Sequence, residues 1–238
     1  MKFDYIKQGD CLELMKEIPN GSIDMILCDL PYGTTACKWD VIIPFEPLWK
    51  QYNRIIKDNG AIVLFSQMPF GANLITSNPK MFRYEWIWEK EQGTGFLNAK
   101  KMPLKAHENI LVFYKHLPTY NPQMRMGFKP YTNTSPNQTS NYGAYEIVVR
   151  HSDGDRYPID IVEFNRDKGL HSTQKPVALL EYLIKTYTNE GDVVLDNCFG
   201  SGSTLVAAVN TNRHYIGFEL DEKCFDIACQ RLDEVEGG

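Results

Sequence analysis

Long apolar runs are missing from this sequence. That excludes a membrane-spanning helix, which needs about 20 consecutive apolar residues. The opening Met1-Lys2-Phe3-Asp4 runs straight into polar residues and does not read as a secretory leader. The cysteines (Cys11, Cys28, Cys37, Cys198, Cys224 and Cys229) form no C-x-x-C pair. No zinc or other metal site is therefore expected, and the thiols read as free in a reducing cytoplasm. There is no internal repeat. A surplus of basic residues is also missing: 25 Lys and Arg stand against 30 Asp and Glu, for a net charge of −5. On average this argues against a polyanionic partner. The average hides a local excess, because Lys80–Pro130 carries nine basic and four acidic residues. By composition alone, such a stretch reads as a solvated face.

What is present is an alternation of strands and helices over 238 residues, enough for one substantial core. Strands are expected at Tyr5–Gln8, Ile23–Cys28, Ala61–Ser66, Phe82–Glu89, Asn109–Lys115, Val193–Asp196 and Tyr215–Glu219. Helices are expected at Cys11–Ile18, Phe45–Lys57, Pro176–Thr188, Ser203–Asn210 and Glu222–Val235, with Asp58-Asn59-Gly60 as a stop. Leu117–Lys168 differs. It holds five prolines and a polar run, Thr132–Gly143, interrupted by strand-like Glu146–Arg150 and Ile159–Phe164. We read it as an insert outside the main sheet.

The densest motif is Val193-Val194-Leu195-Asp196-Asn197-Cys198-Phe199-Gly200-Ser201-Gly202-Ser203. An apolar strand enters a glycine turn that opens a helix, where free N–H groups can meet a ligand. A second strand then ends in Glu219, placed to accept hydrogen bonds from ribose hydroxyls. A cap for the last helix is the plainer role for Glu219, but Asp221 suits it better. The spacing does not fit a dinucleotide site, since Leu205 stands where a third glycine would be needed. Asp196 would repel a pyrophosphate and suits a cationic ligand.

Asp29-Leu30-Pro31-Tyr32-Gly33 follows the strand Ile23–Cys28, at the strand end where open α/β sheets place ligands. A carboxylate and a backbone carbonyl can both accept from one –NH2 group. Proline stiffens the turn, and tyrosine offers a face to a planar base. Two acceptors that hold the amine hydrogens of adenine or cytosine favour a tetrahedral nitrogen with its lone pair exposed to a methyl donor. A plain turn would use the same residues.

Together these segments resemble the amino-methylating DNA methyltransferases, in the beta-class order with the catalytic motif before the glycine loop. Lys7-Gln8-Gly9-Asp10-Cys11, His107-Glu108-Asn109-Ile110 and His171-Ser172-Thr173-Gln174-Lys175-Pro176 resemble three further family motifs. The resemblance implies a Rossmann-like, S-adenosylmethionine-dependent methyltransferase sheet of permuted order with a small inserted target-recognition segment. Residues 1–116 would form the catalytic half, 117–168 the insert and 169–238 the cofactor half. Asp29 and the carbonyl of Leu30 would hold the amine, with Pro31 shaping the turn and Tyr32 stacking on a flipped base. Gly200, Ser201 and Gly202 would cradle the methionine of the cofactor, with Asp196, Phe199 and Lys175 beside them. Glu219 would bind the ribose and Asp10 the adenine. Leu30 replaces the usual proline, and Phe199 lies one place later than the family aromatic.

The resemblance also implies double-stranded DNA as partner and adenine N6 over cytosine N4 as target, because the cytosine enzymes more often carry serine at the position of Asp29. No Pro-Cys pair is present, as a cytosine-C5 enzyme would need. A cytoplasmic location is expected. A homodimer is compatible with the short insert, and a restriction endonuclease partner is left open. Lysines from Lys80 to Lys115 are expected on phosphates, and Arg125, Arg150, Arg156 and Arg166 on base edges. RNA or protein-glutamine methylation, and DNA binding without chemistry, are the competing functions.

Overall fold

The structure, a computed structural model, describes residues 3–34, 40–134, 138–139, 143–144, 149–167 and 174–237. Its strands are β1 (Tyr5–Gln8), β2 (Ile23–Cys28), β3 (Ile56–Ser66), β4 (Phe82–Thr94), β5 (Lys105–Phe113), β6 (Tyr131–Thr134), β7 (Gln138–Thr139), β8 (Gly143–Ala144), β9 (Val149–Ser152), β10 (Ile161–Glu163), β11 (Val193–Asp196) and β12 (His214–Glu219). The helices are α1 (Cys11–Leu14), α2 (Phe45–Ile55), α3 (Phe70–Ser77), α4 (Val177–Tyr187), α5 (Ser203–Asn210) and α6 (Glu222–Glu236).

Eight strands form one sheet in the order β1-β12-β11-β2-β3-β5-β4-β10. Every ladder in it is parallel except the two that flank β5. Alternation along β2 explains the apolar run Met25–Cys28 that follows Asp24. Ile26 and Cys28 face a core with Leu48, Tyr52 and Leu74 of α2 and α3. Met25 and Leu27 face the opposite core, with Leu183, Leu205 and Leu232 of α4, α5 and α6. A parallel strand buried on both faces needs no polar positions. This is the Rossmann-like α/β sheet expected from the sequence.

The permuted order has a visible consequence. β1, from the amino end, pairs with β12, from the carboxyl end, with Gln8 opposite Glu219. The Gly9 N–H donates to the Glu219 carbonyl at 2.8 Å. Asp10 and Glu219, distant in sequence, are thereby brought to one place.

Several elements depart from the sequence expectation. Asp58-Asn59-Gly60 is not a stop between elements. β3 begins at Ile56 and carries these residues as an irregularity, with Ile23 opposite Ile56 but Met25 opposite Ala61. A side chain at Gly60 would meet the Asp24 carbonyl at 2.8 Å, so glycine there serves close strand approach. α3 was not expected, since its sequence mixes glycine with β-branched residues. Burial of Phe70 and Leu74 overrides that weak propensity. β10 lies in the main sheet beside β4, and not in the insert as expected, because Val162 fills an apolar position of the core. β4 runs five residues beyond Glu89.

The chain divides into two compact units, Met1–Asn121 with Asp160–Gly238, and Pro122–Ile159. Within the second unit, β6 pairs with β9 and β7 with β8, both antiparallel. Arg125 and Arg156 bridge through their backbones. The Arg156 guanidinium donates to the Ser152 hydroxyl at 2.6 Å and the Lys129 carbonyl at 2.7 Å, and lies over the Tyr131 ring. The loop residues Lys38 and Trp39, residues 146–148 of the strand-like Glu146–Arg150, much of Thr132–Gly143, and His171-Ser172-Thr173 fall outside the described residues. Among the described residues, no helix is long and apolar enough to cross a membrane.

Candidate active site

The carboxyl ends of the parallel strands and the start of β5 meet at one edge of the sheet. They surround a cavity of about 640 Å³. Asp10 enters its wall after β1, Asp29 after β2 and Gln67 after β3. Lys90 comes from β4, Glu108 from β5, Asp196 from β11 and Glu219 from β12. The two sequence motifs, read at opposite ends of the chain, therefore line one cavity. The register of β11 beside β2 sets Leu195 opposite Ile26, so the loops that follow the two strands emerge together.

On the catalytic side, Leu30 is buried and anchors the turn in the core. Asp40 fixes the loop by accepting from the N–H groups of Gly33 and Thr34, at 2.8 and 2.9 Å. The Tyr32 hydroxyl donates to Asp29 Oδ1 at 2.6 Å, and its ring packs against Phe70 at 5.0 Å. The other Asp29 oxygen is paired with the Lys175 ammonium. Lys175 also reaches Glu108 Oε2 at 3.2 Å, and Glu108 is paired in turn with Lys90. Two cations and two anions thus alternate as Lys90, Glu108, Lys175 and Asp29. Burial alone would lower the pKa of Lys175, but Asp29 and Glu108 outweigh it and the pKa is raised. Burial alone would raise Glu108, but Lys175 and Lys90 outweigh it and hold the carboxyl below its usual range. Burial, with Asp29 and Glu108 nearby, pushes the Tyr32 hydroxyl well up, so it stays a donor.

On the glycine-turn side, Gly200 has φ +54° and Gly202 φ +80°, conformations that favour glycine. A side chain at Gly200 would point into open space, whereas one at Gly202 would strike Ala228 of α6 at 2.8 Å. Gly202 therefore serves helix packing as well as the turn. The Ser201 carbonyl and hydroxyl accept from Arg231 of α6 at 2.6 and 3.3 Å. Glu219 accepts from the Gly200 N–H at 2.8 Å, and from the Leu220 and Asp221 N–H groups at 2.8 and 2.9 Å. Asp221, as expected, caps α6 by accepting from Cys224 N–H. Asp10 caps α1, accepting from Leu12 N–H at 2.8 Å. Phe199 is buried, 6.1 Å from the Phe225 ring. Burial pushes the Asp196 carboxyl up to about 6, against hydrogen bonds from Thr204, the Cys198 N–H and Cys28 that lower it.

Three carboxylates and the start of a helix thus stand beside an open glycine turn. Gln174 Oε1, in the same wall, is a buried acceptor with no hydrogen-bond partner among the described residues. This donor and acceptor set fits a ligand with hydroxyls, a cationic centre and one carboxylate, which is the composition of S-adenosylmethionine.

All twelve expected site residues except Gly202 line the cavity. Lys175, expected beside the cofactor, reaches Asp29 and Glu108. Sequence reasoning gave no role to Glu108, Asp40 or Arg231. Glu108 stood inside a quoted motif, but the other two carried no local signal. Tyr52 was missed as well; from α2 it donates to Asn197 Oδ1 at 2.5 Å and braces the turn after β11. Cys11, Cys28 and Cys198, scattered in sequence, come together at the cavity, with Cys11 and Cys198 in its wall. Burial pushes the Cys28 thiol up to about 12, so it stays protonated. Lys90 is buried and ion-paired, which removes it from the lysines expected on phosphates. The Arg156 guanidinium is held within its unit, and Arg166 pairs with Glu91 at 3.0 Å.

A sheet of this topology, with a carboxylate-bearing turn after β2 and a glycine turn after β11, defines a nucleoside-cofactor group transferase of the Rossmann-like class. The family model described as DNA methylase, of the N6 and N4 type, matches residues 23–230, and the chain belongs to that family. It is 28% identical over 252 residues to the type II methyltransferase M.HpaI of Haemophilus parainfluenzae, covering 97% of this chain and 74% of that protein. It is 30% identical over 267 residues to M.HinfI of Haemophilus influenzae, covering 97% and 68%. Among solved structures, the M1.HpyAVI complex with SAM aligns with a TM-score of 0.64 at 23% identity, over 96% of this chain and 98% of that one. The cytosine-N4-specific PvuII DNA methyltransferase aligns with a TM-score of 0.70 at 15% identity, over 100% and 91%. At these identities the structures speak for the fold.

Proposed function

We propose that this protein methylates the exocyclic amine of a base flipped out of double-stranded DNA, with adenine N6 as its target. The observation that carries this reading is the meeting of the Asp29 turn and the Gly200 turn in one cavity. S-adenosylmethionine is the cofactor; when bound, it supplies a methyl group carried on a sulfonium. Glu219 and Asp10 are the acceptors for its nucleoside, and Asp196 faces its positive charge. The Gly200–Gly202 turn holds its amino-acid end.

Asp29 and the Leu30 carbonyl hold the two amine hydrogens, which turns the nitrogen lone pair out of the ring plane. Tyr32 supports the base with its ring and steadies Asp29 with its hydroxyl. Lys175 holds the second Asp29 oxygen, and Glu108 with Lys90 holds Lys175. The choice of adenine rests on aspartate at position 29. Cytosine N4 is the second reading, because the matching family is of both the N6 and the N4 type. Within the insert, Arg150 remains the arginine for reading bases, since Arg125 and Arg156 are engaged inside their own unit.

The test is transfer of labelled methyl from S-adenosylmethionine to plasmid DNA, followed by mass spectrometry of the nucleosides and sequencing of the modified sites. N6-methyladenine is expected, and N4-methylcytosine would establish the second reading. Absence of any transfer to DNA would overturn the proposal. Asp29→Ala should cut transfer by about a hundredfold or more while cofactor affinity stays near normal.

A further inference from the structure

Where β4 leaves the cavity wall, the chain does not turn back at once. Thr94 still lines the cavity, and the next residues form a finger that returns at Lys105. Gly95, with φ +90°, starts a short 3-10 turn over Phe96–Asn98. The N–H groups of Asn98 and Ala99 bond to the carbonyls of Gly95 and Phe96, and those of Lys101 and Met102 to Asn98. The Thr94 hydroxyl closes the base of the finger on the Lys105 carbonyl at 3.3 Å. The finger is thus built from its own hydrogen bonds. At its tip, Phe96 is 82% exposed and Leu97 95% exposed, with Met102 and Leu104 also open to solvent. Single exposed apolar residues are ordinary, but two adjacent large ones on a formed turn are not. Between Gln92 and Ala106 the chain carries Lys100, Lys101 and Lys105 and no acidic residue.

Cations around an apolar tip match a partner that is anionic outside and apolar inside, which describes duplex DNA: phosphates at the surface and stacked bases within. A base that leaves the stack for the cavity leaves a gap, and apolar side chains entering a base step are a known means of unstacking it. We propose that Phe96 and Leu97 form a wedge that enters the duplex at the target step and fills the space left by the flipped base, while Lys100, Lys101 and Lys105 hold the flanking phosphates. This rests on the DNA amino-methylation reading above and adds to it the element that opens the duplex.

The test is the Phe96→Ser, Leu97→Ser double variant, which alters exposed positions only. Its substrates are two oligonucleotide duplexes carrying the site identified on the methylated plasmid. In one the target base is paired; in the other it faces an abasic residue, so extraction costs little. The variant should lose about tenfold or more in single-turnover methyl transfer on the paired duplex and keep most of its rate on the abasic-opposed one. Phe96→Leu with Leu97→Met, which keeps an apolar tip, should restore the paired rate. Equal rates on both duplexes, or equal loss on both, would overturn the wedge. So would a change in oligomeric state by light scattering with the rate ratio unmoved, which would make the tip a contact between copies of this chain. Wild-type protein that transfers no methyl to plasmid DNA would overturn the underlying reading instead.

Discussion

The Lys175 ammonium is paired with the carboxylate of Asp29, which lies 146 positions earlier in the chain. This half-buried carboxylate meets its substrate with one oxygen held by Lys175 and the other by the Tyr32 hydroxyl, which fixes its direction before the base arrives. Lys175→Met should therefore lower methyl transfer by about a hundredfold, as expected for a preorganised acceptor. Affinity for S-adenosylmethionine, by calorimetry, should stay nearly unchanged. A collapse of cofactor affinity with Lys175→Met would return this residue to the cofactor side.

Tyr32 now has two tasks, where the sequence gave it one. Its ring supports the base, and its hydroxyl bonds Asp29. Tyr32→Phe should lose about tenfold in single-turnover rate, the worth of a modest hydrogen bond to a charged group. Tyr32→Ala should lose a further 1–3 kcal/mol or so of base binding, by removing the stacking surface. Equal rates for wild type and Tyr32→Phe would assign the residue to stacking alone.

Glu219 and Asp221 separate a ligand role from a capping role within three residues. Glu219→Ala should weaken S-adenosylmethionine binding by roughly 2–4 kcal/mol. Asp221→Ala should leave affinity intact and cost about 1 kcal/mol of stability, because it caps α6. Calorimetry and thermal unfolding of both variants distinguish the two; unchanged affinity in Glu219→Ala would defeat the ribose assignment.

Asp196 carries a pH dependence of definite sign. Its folded-state pKa is pushed up to about 6 by burial. Between its ordinary value and about 6, the native state holds a proton that the unfolded chain has lost. The stability this gives is present at low pH and lost as pH rises through about 6. A cationic cofactor favours the ionised form and reverses the preference. Affinity for S-adenosylmethionine should fall as pH drops below about 6, and binding there should release a proton. Calorimetry at several pH values, in two buffers of different ionisation heat, measures both. A flat affinity profile with no proton release would separate Asp196 from the cofactor.

Sequence alone determined the parallel strands, because a strand buried on both faces shows as an apolar run such as Met25–Cys28. It determined the two motifs, because turn and helix-start chemistry is local: Asp29–Gly33 after one strand, Gly200–Gly202 after another. Asp221 was legible as a cap for the same reason. Tertiary structure decided the rest. β10 joins the sheet, and α3 is helical, through burial that no local propensity records. Lys90 read as a phosphate contact, Lys175 as a neighbour of the cofactor and Glu108 as part of a motif with no assigned role, until the antiparallel insertion of β5 between β3 and β4 brings Glu108 to the cavity edge. The charges of all three are tolerated in the interior only because they alternate there with Asp29, and such pairing depends on distances across the sheet that no spacing along the chain encodes.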